Sequence, residues 1–475
     1  MLTTPAMMNY LTYTGSQRGT NELTSVQANL NGELIKLMSE RPVGLAVGYE
    51  YRRVAGSYTY DPIVNQHDST NGGSDNTQGV YDAHEGYAEL SMPIISGMPF
   101  VEDLEGSAAV RVFRYSNFGS DYTYKFGARY KPITDVTLRG TYSTAFRAPS
   151  IADLYRGHYD NFPIVSDPCA DTSAASQETI NRCIAAGPNV NNNGDSSVQL
   201  RSTNGGTPTL QPETAKTGTV GVVFEPSMVR GFSATVDYYN VKIEHAISTI
   251  GESTILAGCY VTGSNPSYCN LIDRDPASGT INNILNLVQN LGSEYVAGID
   301  VALRYQFPTT DYGRFALTFD GTYLIHHNQR LADGTLVVGK NTFDLQQSSG
   351  QGGTNPAWKH LMGLRWGLGG FGLGGTWKYV SSFHECGDSS GDFSGSGLCY
   401  ADSTYQRHVE AYYAFDFFGS YTFSSPAGRT TLGVGINNAF DKAPPRIYNT
   451  FASATDQYTY DQVGRFIYGR INHVF

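Results

Sequence analysis

Six cysteines are the most chemically pointed residues of this 475-residue chain. They form three close pairs: Cys169 with Cys183, Cys259 with Cys269, and Cys386 with Cys399. None makes a Cys-x-x-Cys, so a zinc ribbon or a thioredoxin-like dithiol has no support. Each pair lies in a stretch rich in Gly, Ser, Asn, Asp or Pro, the composition of a loop. Local pairs within loops read as disulfide staples made in an oxidising compartment; the alternative is six free buried thiols.

Other patterns have plainer readings. Gly367-Leu-Gly369-Gly370-Phe-Gly372 satisfies GxGxxG, but a dinucleotide loop needs a following helix and a distant acid. Its flanks, Trp366 and Trp377, lie in alternating runs, so a tight glycine hairpin is the better reading. Asp273-x-Asp275 begins like a calcium loop, yet Ala277 and Ser278 replace a further oxygen ligand and the loop glycine. A simple turn at Gly279 accounts for it. His384-Glu385-Cys386 holds donors for iron or zinc, but Cys386 goes to a disulfide and a solvated loop remains. No Gly-x-Ser-x-Gly elbow or His-Glu-x-x-His occurs. An enzyme is therefore the weaker class, and neither a metal centre nor a cofactor is expected.

The elements that carry these residues are strands. Val136, Leu138, Gly140, Tyr142 and Phe146 alternate with Thr137, Arg139, Thr141, Ser143 and Arg147, and the same period of two recurs in Val43–Arg52, Val301–Phe307, Phe315–Tyr323, Met362–Leu368, Tyr413–Phe423 and Thr431–Asn437. One face is apolar or aromatic, and the other is Gly, Ser, Thr or Arg. A soluble β-sandwich shares that alternation. Long strands with polar inner faces instead match a barrel with lipid outside, whose strands need about 9–11 residues to cross. Composition agrees: 53 Gly, 33 Tyr and 23 Phe accompany only 16% charged residues, against roughly 25% in ordinary soluble domains. Mean hydropathy is −0.30 and no apolar run reaches the length of a spanning helix. A net charge of −11 argues against nucleic acid as a partner.

Connection lengths alternate. Short turns fall near Ser39–Pro42, Ser96–Phe100, Lys131–Asp135, Pro226–Gly231, Pro308–Gly313, Gly367–Phe371 and Ser424–Gly428. Long loops fall near Ser57–Gly79, Ala148–Gln211, Ile247–Thr280, Asn328–Pro356, His384–Gln406 and Asp441–Asp461. Asn117–Asp121 is the one short link on the long-loop side. The pattern predicts an all-β, transmembrane antiparallel β-barrel of about fifteen strands. All three cysteine pairs then lie on the long-loop side. Met1–Gly19 carries no secretory pattern. An odd strand count is unusual for such barrels, so an N-terminally truncated chain is expected. Residues 1–20 are read as a disordered or loop remnant and 21–475 as barrel.

Five segments carry a family likeness: Val136–Tyr155, Leu210–Pro226, Cys259–Asp300, Leu432–Pro445 and Gly464–Phe475. In order and spacing they resemble the TonB-dependent outer-membrane receptors, from about Asn21 to the last residue. The resemblance implies a barrel of about 22 strands with an N-terminal plug, and this sequence supplies about fifteen strands and no plug or TonB box. It implies a bacterial outer-membrane location and TonB-energised uptake of a scarce nutrient: a ferric siderophore first, then cobalamin or an oligosaccharide. The partners implied are membrane lipid, an extracellular ligand, the TonB complex acting through the plug, and barrel assembly machinery. A passive porin-like channel is the main rival, and a barrel enzyme or adhesin the weaker one.

Five residues are the candidate ligand contacts. Arg147 ends a polar face just before Ala148-Pro149; it suits an anionic ligand, or a structural pair with a plug or neighbouring-strand carboxylate, which is the preferred reading. Tyr155, His158, Tyr159 and Phe162 open the longest loop, where rings can stack on a ligand or pack the loop against itself. Ile471 and Phe475 lie on the lipid register of the last strand, whose end the resemblance makes an assembly signal. His473 shares that register and is expected at the interface.

Overall fold

The computed structural model describes residues 4–70, 72–163, 165–195, 199–331, 334–344, 353–387, 399, 403–448 and 454–475. Fifteen long strands form one antiparallel path in chain order. They are β1 (Gln17–Lys36), β2 (Pro42–Tyr60), β3 (Thr77–Met98), β4 (Val101–Tyr115), β5 (Gly119–Ile133), β6 (Val136–Arg147), β7 (Glu213–Phe224) and β8 (Phe232–Glu244). There follow β9 (Ser293–Gln306), β10 (Arg314–Arg330), β11 (Trp358–Leu368), β12 (Phe371–Val380), β13 (Tyr412–Ser425), β14 (Gly428–Asn437) and β15 (Phe466–Val474). A short strand, Leu336–Val338, adds to the end of β10. The expected barrel wall is therefore present, with short turns at one end and long loops at the other. Residues 1–20, read as a loop or disordered remnant, instead hold a helix at Pro5–Leu11 and the start of β1. Pro5 suits a first helical turn, the Thr4 hydroxyl accepts the Met7 N–H, and Gln17 already pairs with Tyr60.

Cross-strand register assigns the two faces. Phe126, Tyr142 and Gly218 stand side by side on β5, β6 and β7, and so do Gly127, Thr141 and Thr219 on the other face. Phe126, Tyr142 and Val220 are exposed rings and branches, as an outer apolar band requires. The inner face is polar and paired: the Thr141 and Thr219 hydroxyls lie 2.7 Å apart. Charges on this face bridge strands. Arg304 Nη2 donates to both Asp320 oxygens, Lys378 reaches Asp416, and Arg52 and Arg111 both bind Glu85, which also accepts the Tyr115 hydroxyl.

One such bridge depends on a glycine. Arg139, Gly221 and Asp237 lie in one row across β6, β7 and β8. The guanidinium crosses over Gly221 to both oxygens of Asp237. A Cβ on Gly221 would sit 1.9 Å from Asp237 Oδ1, so only glycine leaves the crossing open. Gly369, by contrast, serves a turn: it has φ +57° in the tight β11–β12 hairpin, as expected for this glycine run.

Phe146 leaves the register of Tyr142. Its ring stacks on Phe113 of β4 at 3.7 Å between centres, beside Tyr115 and Phe118. Beyond Lys125↔Ser143 β5 no longer pairs with β6, which stays paired with β7 to Arg147, and on the side released from β5 Phe146 packs into the aromatic cluster.

The two faces differ in what they tolerate. Tyr142→Asp is expected to cost about 2 kcal/mol of unfolding stability in lipid vesicles, and Thr141→Asp less than about 1 kcal/mol. Urea titration read by gel mobility of the folded barrel checks this; equal costs would show that the faces are misassigned.

Candidate functional site

The inner wall carries a cavity of about 600 Å³ between β8 and β13, within the size range of ligand sites. Asp237, Asp300, Asp320, Lys359 and Lys378 project from successive strands into it. Three of these are occupied by pairing, with Arg139, Arg304 and Asp416. Asp300 accepts only the Thr322 hydroxyl, at 2.7 Å, and Lys359 makes no ion pair among the described residues. Asn438 and Thr459, beyond the end of β14, also border the cavity. Tyr458 and Asp461 line it, and Tyr460 packs edge-on against Tyr412. Such a wall offers both donors and acceptors to a polar solute.

Above the wall the long loops are built like small domains. Segments 148–212 and 245–292 share one core of Val165, Leu200, Ile255, Leu256, Tyr268 and Ile284, into which Cys169–Cys183 and Cys259–Cys269 are tied. A four-stranded sheet, Ile272–Arg274, Ile281–Leu285, Ser202–Asn204 and Tyr159–Asn161, joins the two segments. Parallel pairing of Ile284 with Ser202 makes this a long-range contact. Arg274 locks it, donating to both Asp167 oxygens at 2.7 and 2.8 Å and to the Tyr260 hydroxyl at 3.0 Å. Burial opposes the Asp167 charge. The Arg274 guanidinium, the Cys169 N–H and the Asn193 amide outweigh it and hold the carboxyl below its ordinary value. The second cap packs Phe343, Phe383, Val409 and Ile447 beside the Cys386–Cys399 bond. There Glu385 is fully buried, held by Arg407 and by the Tyr448 N–H at 2.8 Å.

The candidate ligand residues take varied places. Arg147 donates to Glu213 on β7 at 2.5 Å and to Asp153 at 3.2 Å, a neighbouring-strand pair. Tyr155 lies across Gly79 and edges the Leu154, Leu210 and Ile247 cluster. His158 covers Gly205, and its carbonyl accepts the Asp75 N–H at 2.7 Å. Tyr159 pairs with Asn204 and lies under the Arg156 guanidinium at 3.9 Å. Phe162 stays exposed. These four therefore mostly build the first cap, and none lines the wall cavity. Ile471 pairs with Leu432 on the outer face, and Phe475 is fully exposed beyond the end of β15. His473 lies at the 425–428 turn, bonded to Thr430 and to the Ala427 carbonyl. Asp275 makes a simple turn: Oδ1 accepts the Ala277 N–H and its carbonyl the Gly279 N–H.

Sequence reading missed the wall carboxylates and Lys359. Each stands on the polar register of an alternating strand, but only strand order shows that they converge.

These features coincide with one family. A family model described as TonB dependent receptor-like, beta-barrel, matches residues 3–439. The chain belongs to this receptor family. Solved structures of two receptors and an iron transporter share the fold. The siderophore receptor PirA from Acinetobacter baumannii is 15% identical, with 97% of this chain and 55% of that one aligned, at a TM-score of 0.59. The ferric enterobactin receptor PfeA from Pseudomonas aeruginosa is 15% identical over 95% of this chain and 54% of that one, at 0.60. The FrpB iron transporter from Neisseria meningitidis is 12% identical over 95% and 55%, at 0.53. This receptor chain thus spans about half the length of those structures. No curated protein matches it closely enough to count.

Two outcomes test the caps. Non-reducing peptide mapping of the receptor is expected to return Cys169–Cys183, Cys259–Cys269 and Cys386–Cys399, and free thiols would contradict the placement. Because the Asp167 carboxyl is depressed, its stabilisation is full above the ordinary carboxylate value of about 4 and fades as pH falls through the folded value. Asp167→Asn strands the Arg274 charge and is expected to cost the cap about 3 kcal/mol at pH 7. Limited proteolysis at pH 7 and pH 3 reads both effects; a variant as resistant as the parent at pH 7 would refute them.

Proposed function

We propose that this chain is the greater part of the barrel of an outer-membrane receptor that takes up a scarce nutrient using energy from the TonB complex. The carrying observation is the division of labour in one sheet: an apolar outer band, a charged inner wall with a cavity, and two built caps at one end. The caps face the exterior and capture the solute, and the wall residues Asp300 and Lys359 guide it. The solved relatives named for siderophores or iron favour a ferric siderophore as cargo. Cobalamin and oligosaccharides are the other cargoes of this size class. The work is binding and transport, without covalent chemistry on the solute.

The wall begins and ends on strands running the same way, since β1 and β15 are the first and last of fifteen antiparallel strands. Closing it with antiparallel pairing takes an odd number of further strands, and a barrel of about 22 leaves about seven. A plug domain inside that closed barrel gates passage and meets TonB. Ile471 and Phe475, at the end of β15, are the contact for assembly machinery.

The test is uptake of a radiolabelled ferric siderophore by cells carrying the full-length receptor. Uptake is expected to stop when a protonophore collapses the proton-motive force. Uptake that persists would favour a passive porin-like channel and overturn this reading.

A further inference from the structure

The second cap carries a feature that the transport reading does not use. Its strands Phe383–Cys386 and Gln406–Val409 pair antiparallel, with His384 directly opposite His408. The two imidazoles lie on one face, with ring centres 5.3 Å apart. The other face of this hairpin is anchored: Phe383 and Val409 are buried, and Glu385 holds Arg407. The His384 N–H donates to the Asn341 carbonyl at 2.9 Å, and Cys386 is bonded to Cys399. Neither imidazole makes a hydrogen bond to another described residue. Two imidazoles are thus held side by side on a fixed scaffold and turned away from the core.

We propose that His384 and His408 bind a divalent late first-row transition metal ion on the outer face of this cap. With metal–nitrogen bonds of about 2.0–2.1 Å, each ring centre lies about 3.2 Å from the ion, so two rings on one tetrahedral ion have centres about 5.2 Å apart. The observed 5.3 Å fits that spacing. A tetrahedral spacing suits zinc(II), which imidazole ligates readily, rather than copper(II) or nickel(II), whose square-planar or tetragonal sites hold cis rings closer together. Among the described residues no third His, Cys, Asp or Glu completes the set. Water or a ligand carried by the metal can complete the set beside two imidazoles. This inference does not depend on the nature of the transported cargo.

The experiment titrates the full-length receptor, in detergent and without an affinity tag, with zinc(II) buffered by glycine. Calorimetry gives the affinity and X-ray absorption at the zinc edge the nitrogen ligands. A two-nitrogen site is expected. His384→Ala and His408→Ala are each expected to weaken it at least tenfold, and the double variant is expected to be no worse than either. Either single variant binding like the parent would overturn the proposal. A second measurement needs no variant: saturating zinc(II) is expected to protect His384 and His408 together from diethylpyrocarbonate, mapped by mass spectrometry. Unchanged modification of either residue would overturn it equally.

Discussion

Every backbone polar group in a bilayer must find its partner inside the protein, and between β1 and β15 one long antiparallel ladder supplies those partners. The ladder dictates the rest. It forces side chains to alternate between lipid and interior, so a single residue step separates Tyr142 from Thr141 and their opposite environments. It also sends all connections to two ends. The end with tight turns holds hairpins such as Leu368–Phe371, and the other end is free to grow.

The interior face of the ladder is where charge becomes affordable. Arg139, Arg304 and Lys378 each meet a carboxylate on a nearby strand. These pairs are partly exposed, so each adds little stability alone. Their consequence is positional: they fix the carboxylates along the wall and leave Asp300 and Lys359 as the groups most open to a solute. Gly221 shows how tight the arrangement is, because the Arg139–Asp237 bridge passes through the space a methyl group would fill.

The loops solve a different problem. A segment as long as 148–212 cannot order itself at the end of a barrel without its own core. Here it borrows one from 245–292, and disulfides plus the Arg274–Asp167 pair close it. Breaking a buried pair of this kind is costly, which makes the cap a rigid surface rather than a loose strap. The second cap repeats the plan with Glu385, Arg407 and the Cys386–Cys399 bond, and its rigidity is what holds His384 against His408.

The sequence by itself determined the sheet, the sidedness of its connections and the cysteine pairing. Period two, turn residues and loop composition are local signals, and the pairs lie within 14 residues of each other. The family segments were likewise legible in the chain. Only the tertiary structure decided the contacts between distant segments. Arg147 meets Glu213, and Asp167 meets Arg274, across 66 and 107 residues. Tyr155, His158 and Tyr159 lie against cap and strand backbone at Gly79, Gly205 and Asn204, which are distant from them in sequence. Phe146 keeps the right period yet leaves the outer face, because β5 stops pairing with β6 beyond Ser143. Alternation states which way a side chain points, and strand neighbours decide what it meets there.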